Sequence, residues 1–153
     1  MDEFTSESIL SADKFSAHDY TNKRTGNVFK VYWEILLNGY KGKLRLEVNY
    51  VEGIEIRVSF EEVYDKACLR RLEVPLNENV AYNHRNPPSC NNAEKFNGIH
   101  KHKYLDRIKD GCAYVPDDID TKSIESIVRT FAKECNIHLI SNLPSEIYQK
   151  TLF

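Results

Sequence analysis

This chain is short of most residues that would identify it at once. Its 153 residues include one methionine, one tryptophan, five prolines and six glycines. No apolar run approaches the ~18 residues that a membrane-spanning helix needs. The start, MDEFTSESILSADKF, has neither a basic n-region nor an apolar h-region, so the expected location is the cytoplasm, with no membrane contact. There is no excess of either charge: 21 Lys and Arg against 23 Asp and Glu leave −2 at pH 7. That balance excludes a globally basic nucleic-acid binder. It leaves room for a local basic patch, because charges act only over roughly 8–10 Å in salt. No two cysteines form a CxxC pair, which removes the zinc-knuckle and thioredoxin-like classes. Cys68, Cys90, Cys112 and Cys135 are spaced 22, 22 and 23 apart, yet the residues around them do not repeat. Cys68, Cys112 and Cys135 lie in or beside predicted elements and read as core thiols, without disulfides, in a reducing compartment.

What is present fits an ordinary globular domain. Hydrophobic residues make up 41% and charged residues 29%. A chain of this length buries roughly 68–70% of its unfolded surface as one unit, so residues 1–153 are taken as a single domain. Residues 1–24 are polar around a small cluster of Ile9, Leu10 and Phe15, and read as a loosely attached N-terminal segment. From Asn27 the pattern changes. VFKVYWEILL is rich in β-branched and aromatic residues and ends in the turn signal NGYKG. KLRLEVNYV and IEIRVSFEEV alternate apolar and polar residues, joined by a tight turn at Glu52-Gly53. ACLRRLEVPL supplies a fourth strand that Pro75 ends; IHKHKYL and CAYVP supply two more, joined by DRIKDG. Near the C-terminus, Ile124, Ile127, Val128 and Phe131 form a helical stripe, with Asp120 as the expected N-cap and Asn136 suited to the left-handed C′ position. The expected fold is α+β: an antiparallel meander of five to six strands, covered on one face by this C-terminal amphipathic helix as a two-layer sandwich.

The chemistry concentrates between Asn83 and Asp106. His84, His100 and His102 fall within nineteen residues, where an even spread of five histidines would put about 0.6. His84 lies in the long loop NENVAYNHRNPPSCNNAEKFNG, and loops of that length in compact domains are often functional. His100 and His102, two apart on a strand, share a face, with Tyr104 next in the row. Lys101 and Lys103 occupy the opposite row. The three imidazoles are expected to converge on one cavity, with Arg85 and Tyr104 at its rim.

The segments LRRLEV, NHRNPP, GIHKHKY, AYVP and FAKECNI also carry a resemblance. In order, they resemble a family of small uncharacterised bacterial, phage and mobile-element proteins with the pattern LxRLD, HxNP, HxHxY, AxP and CNI. The similarity covers about residues 69 to 137. Glu73 stands where that pattern has aspartate, keeping the charge on a longer arm. The resemblance implies a site around the histidines and does not specify a reaction.

Three functions follow from these residues. The first is metal-independent RNA cleavage, as in toxin–antitoxin endoribonucleases, or nucleotide and nucleic-acid binding. Two imidazoles with ordinary pKa near ~6.5 can serve as general base and general acid. His84, His100 and His102 are the catalytic candidates; Arg85, Lys101, Lys103, Tyr104 and Arg71 would bind substrate. No cofactor is needed. The second is a three-histidine metal site, His84, His100 and His102 holding a divalent ion such as zinc, with Glu73 or Asp106 as a further ligand or orienting group. The third is a phage-encoded inhibitor of a host defence system, such as an anti-CRISPR protein, acting by protein–protein binding through a Tyr- and Asn-rich surface. Homodimerisation is compatible with all three.

Overall fold

The computed structural model describes residues 1–76, 90, 98–106, 108–114, 116 and 121–145, with only the backbone of 108–110. The elements run α1 (Glu3–Ser11), β1 (Lys14–Ser16), β2 (Thr21–Thr25), β3 (Val28–Leu36), β4 (Leu44–Val51), β5 (Glu55–Glu62), β6 (Ala67–Pro75), β7 (His100–Leu105), β8 (Ile108–Tyr114), α2 (Ile124–Glu134) and β9 (Ile137–His138). All nine strands belong to one sheet in the order β8-β7-β6-β5-β4-β3-β1-β9, with β2 also pairing with β3. The sheet is mixed, because β9 runs parallel to β1.

This overturns the expected five- to six-stranded meander under a single C-terminal helix. The sheet is larger, and the N-terminal segment supplies part of it. The β2 strand, TNKRT, is exposed at every residue and has no apolar alternation to betray it. β1 and β9 are three and two residues long, below the length at which a period of two is visible. α1 is opened by Asp2, whose carboxylate accepts from the Thr5 N–H at 2.7 Å. Its residues Ile9 and Leu10 enter the main core.

Cross-strand register explains how the faces separate. One row runs Val31, Val48, Val58, Leu72, Lys101 and Tyr114; the next holds Trp33, Leu46, Phe60, Arg70 and Lys103. Both rows lie on the face that the two helices cover. Ile124, Ile127, Val128 and Phe131 of α2 are buried there, as their helical spacing predicts. The N-cap of α2 is Ser123, whose hydroxyl accepts from the Ser126 N–H at 3.1 Å; the expected cap, Asp120, lies outside the described residues. Asn136 takes the left-handed conformation at φ 54°, and its amide donates to Leu10 O at 3.0 Å, tying α1 to α2. Lys14 is fully buried and its ammonium donates to the carbonyls of Ile9, Leu10 and Ala12 at 2.5, 3.1 and 2.5 Å. A cation thus meets the orphan carbonyls at the negative end of α1.

At the far edge, Cys90 and Cys112 are joined by a disulfide. This corrects the reading of four free thiols. The Cys90 N–H donates to Ala113 O at 2.9 Å, which brings a loop residue against β8. Nothing local in the sequence marks a contact across 22 residues. Cys135 is buried and free, as expected of a core thiol. Among the described residues no helix is long and apolar enough to cross a membrane.

Candidate functional site

The face away from the helices carries the other two rows. One runs Tyr32, Glu47, Ser59, Arg71, His102 and Ala113, and its neighbour Lys30, Asn49, Arg57, Glu73 and His100. Antiparallel pairing of β6 with β7 sets Glu73 directly opposite His100 and Arg71 directly opposite His102. Glu73, His100 and His102 are only 4%, 4% and 5% exposed. Such burial of polar groups is stable only when they satisfy one another.

They do so closely. His100 Nε2 lies 3.0 Å from Glu73 Oε2, and His100 Nδ1 lies 2.8 Å from Gly98 O. Both partners of this ring are acceptors. The Glu73 Oε1 atom forms ion pairs with the Arg71 and Arg57 guanidinium groups, their Nε atoms lying 3.0 and 3.3 Å away. Burial pushes the Glu73 carboxyl up, but the His100 hydrogen bond and the Arg71 and Arg57 guanidinium groups outweigh it and hold it at about 2. His102 differs. Arg71 Nη2, a donor, faces its Nε2 at 3.3 Å, so that nitrogen accepts; Glu73 Oε2 is 3.9 Å away. The two rings are 5.0 Å apart between centroids, tilted by 58°. One ring sits between two acceptors while the other faces a donor.

Of the residues expected at the site, His100, His102 and Arg71 meet here. Lys101 and Lys103 do not. Lys101 is on the helix face, buried against Glu134 at the end of α2, which also accepts from the Tyr114 hydroxyl at 3.4 Å. Lys103 reaches Glu7 of α1 at 3.6 Å. Tyr104 also departs from the expected row: its hydroxyl donates to Met1 O at 2.6 Å. The register shifts between Lys103 and Leu105, which breaks the alternation there. Gly111 permits this shift, since at φ 59° any Cβ would overlap the Lys103 carbonyl. His84 and Arg85 lie outside the described residues. Arg57 was not singled out from sequence; its only signal was a polar place in the alternation of β5.

Ligand atoms of Glu73, His100 and His102 lie within 4.8 Å of one another, close enough to share an ion. The surroundings fit a cation poorly. Two guanidinium groups flank the Glu73 carboxylate, Arg57 being shared with Glu55 at 3.6 Å, and Arg71 Nη2 stands against His102 Nε2, where an ion would have to bind. No family model, curated protein or solved structure matches the chain. The resemblance drawn over residues 69 to 137 therefore rests on its motifs alone.

Proposed function

We propose that the protein binds RNA or a nucleotide by its phosphate at the Glu73–His100–His102 cluster and cleaves RNA without a metal. One observation carries this reading: two neighbouring imidazoles in opposite surroundings, one between two acceptors and the other against a donor, flanked by two guanidinium groups. His102 Nε2 serves as general base toward a 2′-hydroxyl once Arg71 turns from its lone pair to the phosphate. His100 serves as general acid toward the leaving oxygen. Arg57 and Arg71 neutralise the phosphate oxygens as charge builds in the transition state. Glu73 holds these cations in place until a phosphate takes its position. With side chains 35% and 17% exposed, Arg57 and Arg71 meet the incoming phosphate before the buried rings do. Charge balance separates this reading from the metal-dependent one, because a site rich in paired guanidinium groups attracts anions more readily than divalent cations.

The test is incubation of the purified protein with labelled single-stranded RNA, with and without EDTA. Cleavage that survives chelation and is lost in both His100→Ala and His102→Ala supports the assignment. Cleavage abolished by EDTA and restored by one added metal would transfer the site to metal chemistry. Intact RNA under all conditions would remove the nuclease reading.

A further inference from the structure

The two ends of the sheet are finished differently. At the β8 end, Cys90 is fastened to the strand by a hydrogen bond and a disulfide. At the opposite end, β9 is the last strand, and among the described residues nothing pairs with its outer side. Exposed strand edges present unpaired backbone groups and invite a further strand.

Three features beside β9 define what that strand would carry. On the helix face, a groove of about 430 Å³ lies between α2 and β9, with a floor that includes Ala132, Ile137 and Leu139. Arg129 and Lys133, one turn apart on α2, stand along it, and no acidic residue lines it. Arg129 is shared with Glu125 at 3.1 Å; Lys133 has no ion-pair partner among the described residues. Glu134, the nearest carboxylate in sequence, is turned to Lys101 and Tyr114. On the outer face, register places Leu36, Phe15 and His138 in one row. Phe15 stacks on His138 with ring centroids 4.9 Å apart. Leu36 and Phe15 are 53% and 49% exposed, and Ile140, just beyond the strand, is 68% exposed.

We infer that β9 is a docking edge for an extended acidic segment of a partner protein, added as a tenth strand. Main-chain hydrogen bonds supply the attachment, and alternate side chains fall on opposite faces. Those facing the groove meet an apolar floor and cationic rim, which suits glutamate, its methylenes on the floor and its carboxylate beside Lys133. Those facing outward lie beside His138 and the exposed Ile140, with the apolar row of Phe15 and Leu36 continuing behind them on the next strands, which suits valine or leucine. The recognised pattern is therefore alternating acidic and β-branched or aliphatic residues. This site is remote from the histidine cluster and does not depend on its chemistry.

The test uses fluorescence anisotropy with a labelled Glu-Val-Glu-Val-Glu-Val-Glu peptide on the full chain. Three control peptides accompany it: lysine for glutamate, glycine for valine, and the parent N-methylated at alternate residues to remove main-chain donors. The parent should bind, and all three controls should bind at least about tenfold more weakly, a difference of 1.4 kcal/mol. The exposed-site variant Lys133→Glu, checked for unchanged melting, should weaken the parent and improve the lysine peptide. Equal binding of the glutamate and lysine peptides, indifference to Lys133→Glu, or no binding of any peptide would overturn the inference. So would sedimentation showing that a second copy of the chain closes the β9 edge.

Discussion

The two faces of this sheet are built on the same strands, in the same register, with opposite physics. Toward the helices, Val48, Val58 and Leu72 stand side by side and are almost wholly buried. One residue along, on the other face, Glu47, Ser59 and Arg71 stand side by side. There, ion pairs across and along the strands replace apolar contact: Lys30 and Arg45 on Glu47 at 3.4 and 3.3 Å, and Arg57 and Arg71 on Glu73. The apolar face tolerates error gradually, since each lost methylene costs about 1 kcal/mol. The polar face fails by imbalance: removing one buried charge strands its partners. For this reason the polar face, rather than the core, is where binding can be coupled to rearrangement.

The comparison predicts a ranked series of effects. Phe131→Ala, at the centre of the α2 stripe, should cost about 3–5 kcal/mol in a denaturant titration, as a large core cavity does. Glu73→Ala should approach that cost, about 3 kcal/mol, despite removing fewer atoms. If it costs only a few tenths, the polar face is not a mutually dependent network.

Acid should distinguish the faces further. The Glu73 carboxyl titrates at about 2 when folded, against an ordinary 4.5. Its contribution is complete above pH 4.5 and is lost as pH falls toward 2, amounting to about 3 kcal/mol. Glu73→Gln should flatten that part of the stability profile.

Lys14, a cation buried on the helix face, should act in the opposite range. Burial lowers its ammonium to about 8 from 10.5, partly offset by Cys135 and Asp13. The unfolded chain then holds the extra proton between pH 8 and 10.5, so stability should rise through that window, by at most about 3 kcal/mol. Lys14→Met should abolish the rise. Ser123→Ala, which removes a cap and leaves both faces intact, should cost about 1 kcal/mol and show no pH signature. These slopes are read from urea midpoints collected across pH.

Much of this was visible in the residues themselves. The alternation of KLRLEVNYV and IEIRVSFEEV located β4 and β5, and the 3-4-7 spacing from Ile124 located α2. Asn136 was recognisable as a left-handed terminus. What escaped was whatever depends on distant partners. β2 has no apolar residue, and β1 and β9 are too short to show a period. Lys101 and Lys103 look like solvent-facing residues, yet they point at the helices because Glu134 and Glu7 receive them there. The pairing of Cys90 with Cys112 is invisible for the same reason. At the site, a shared strand face foretold that His100 and His102 would be neighbours. Glu73 and Arg71 were already candidates by residue type, but that β6 would set them opposite His100 and His102, and that β5 would add Arg57, followed only from the register.

The central claim is that this cluster receives an anion in exchange for Glu73. Proton–nitrogen correlation spectra of the histidine side chains test it most directly, recorded during separate titrations with a nucleoside monophosphate and with zinc. The account predicts that the nucleotide shifts the ring resonances of His100 and His102 together, at concentrations that leave His18 and His138 unmoved. It also predicts that zinc leaves His100 and His102 unchanged. Zinc shifting both rings while the nucleotide moves neither would contradict it.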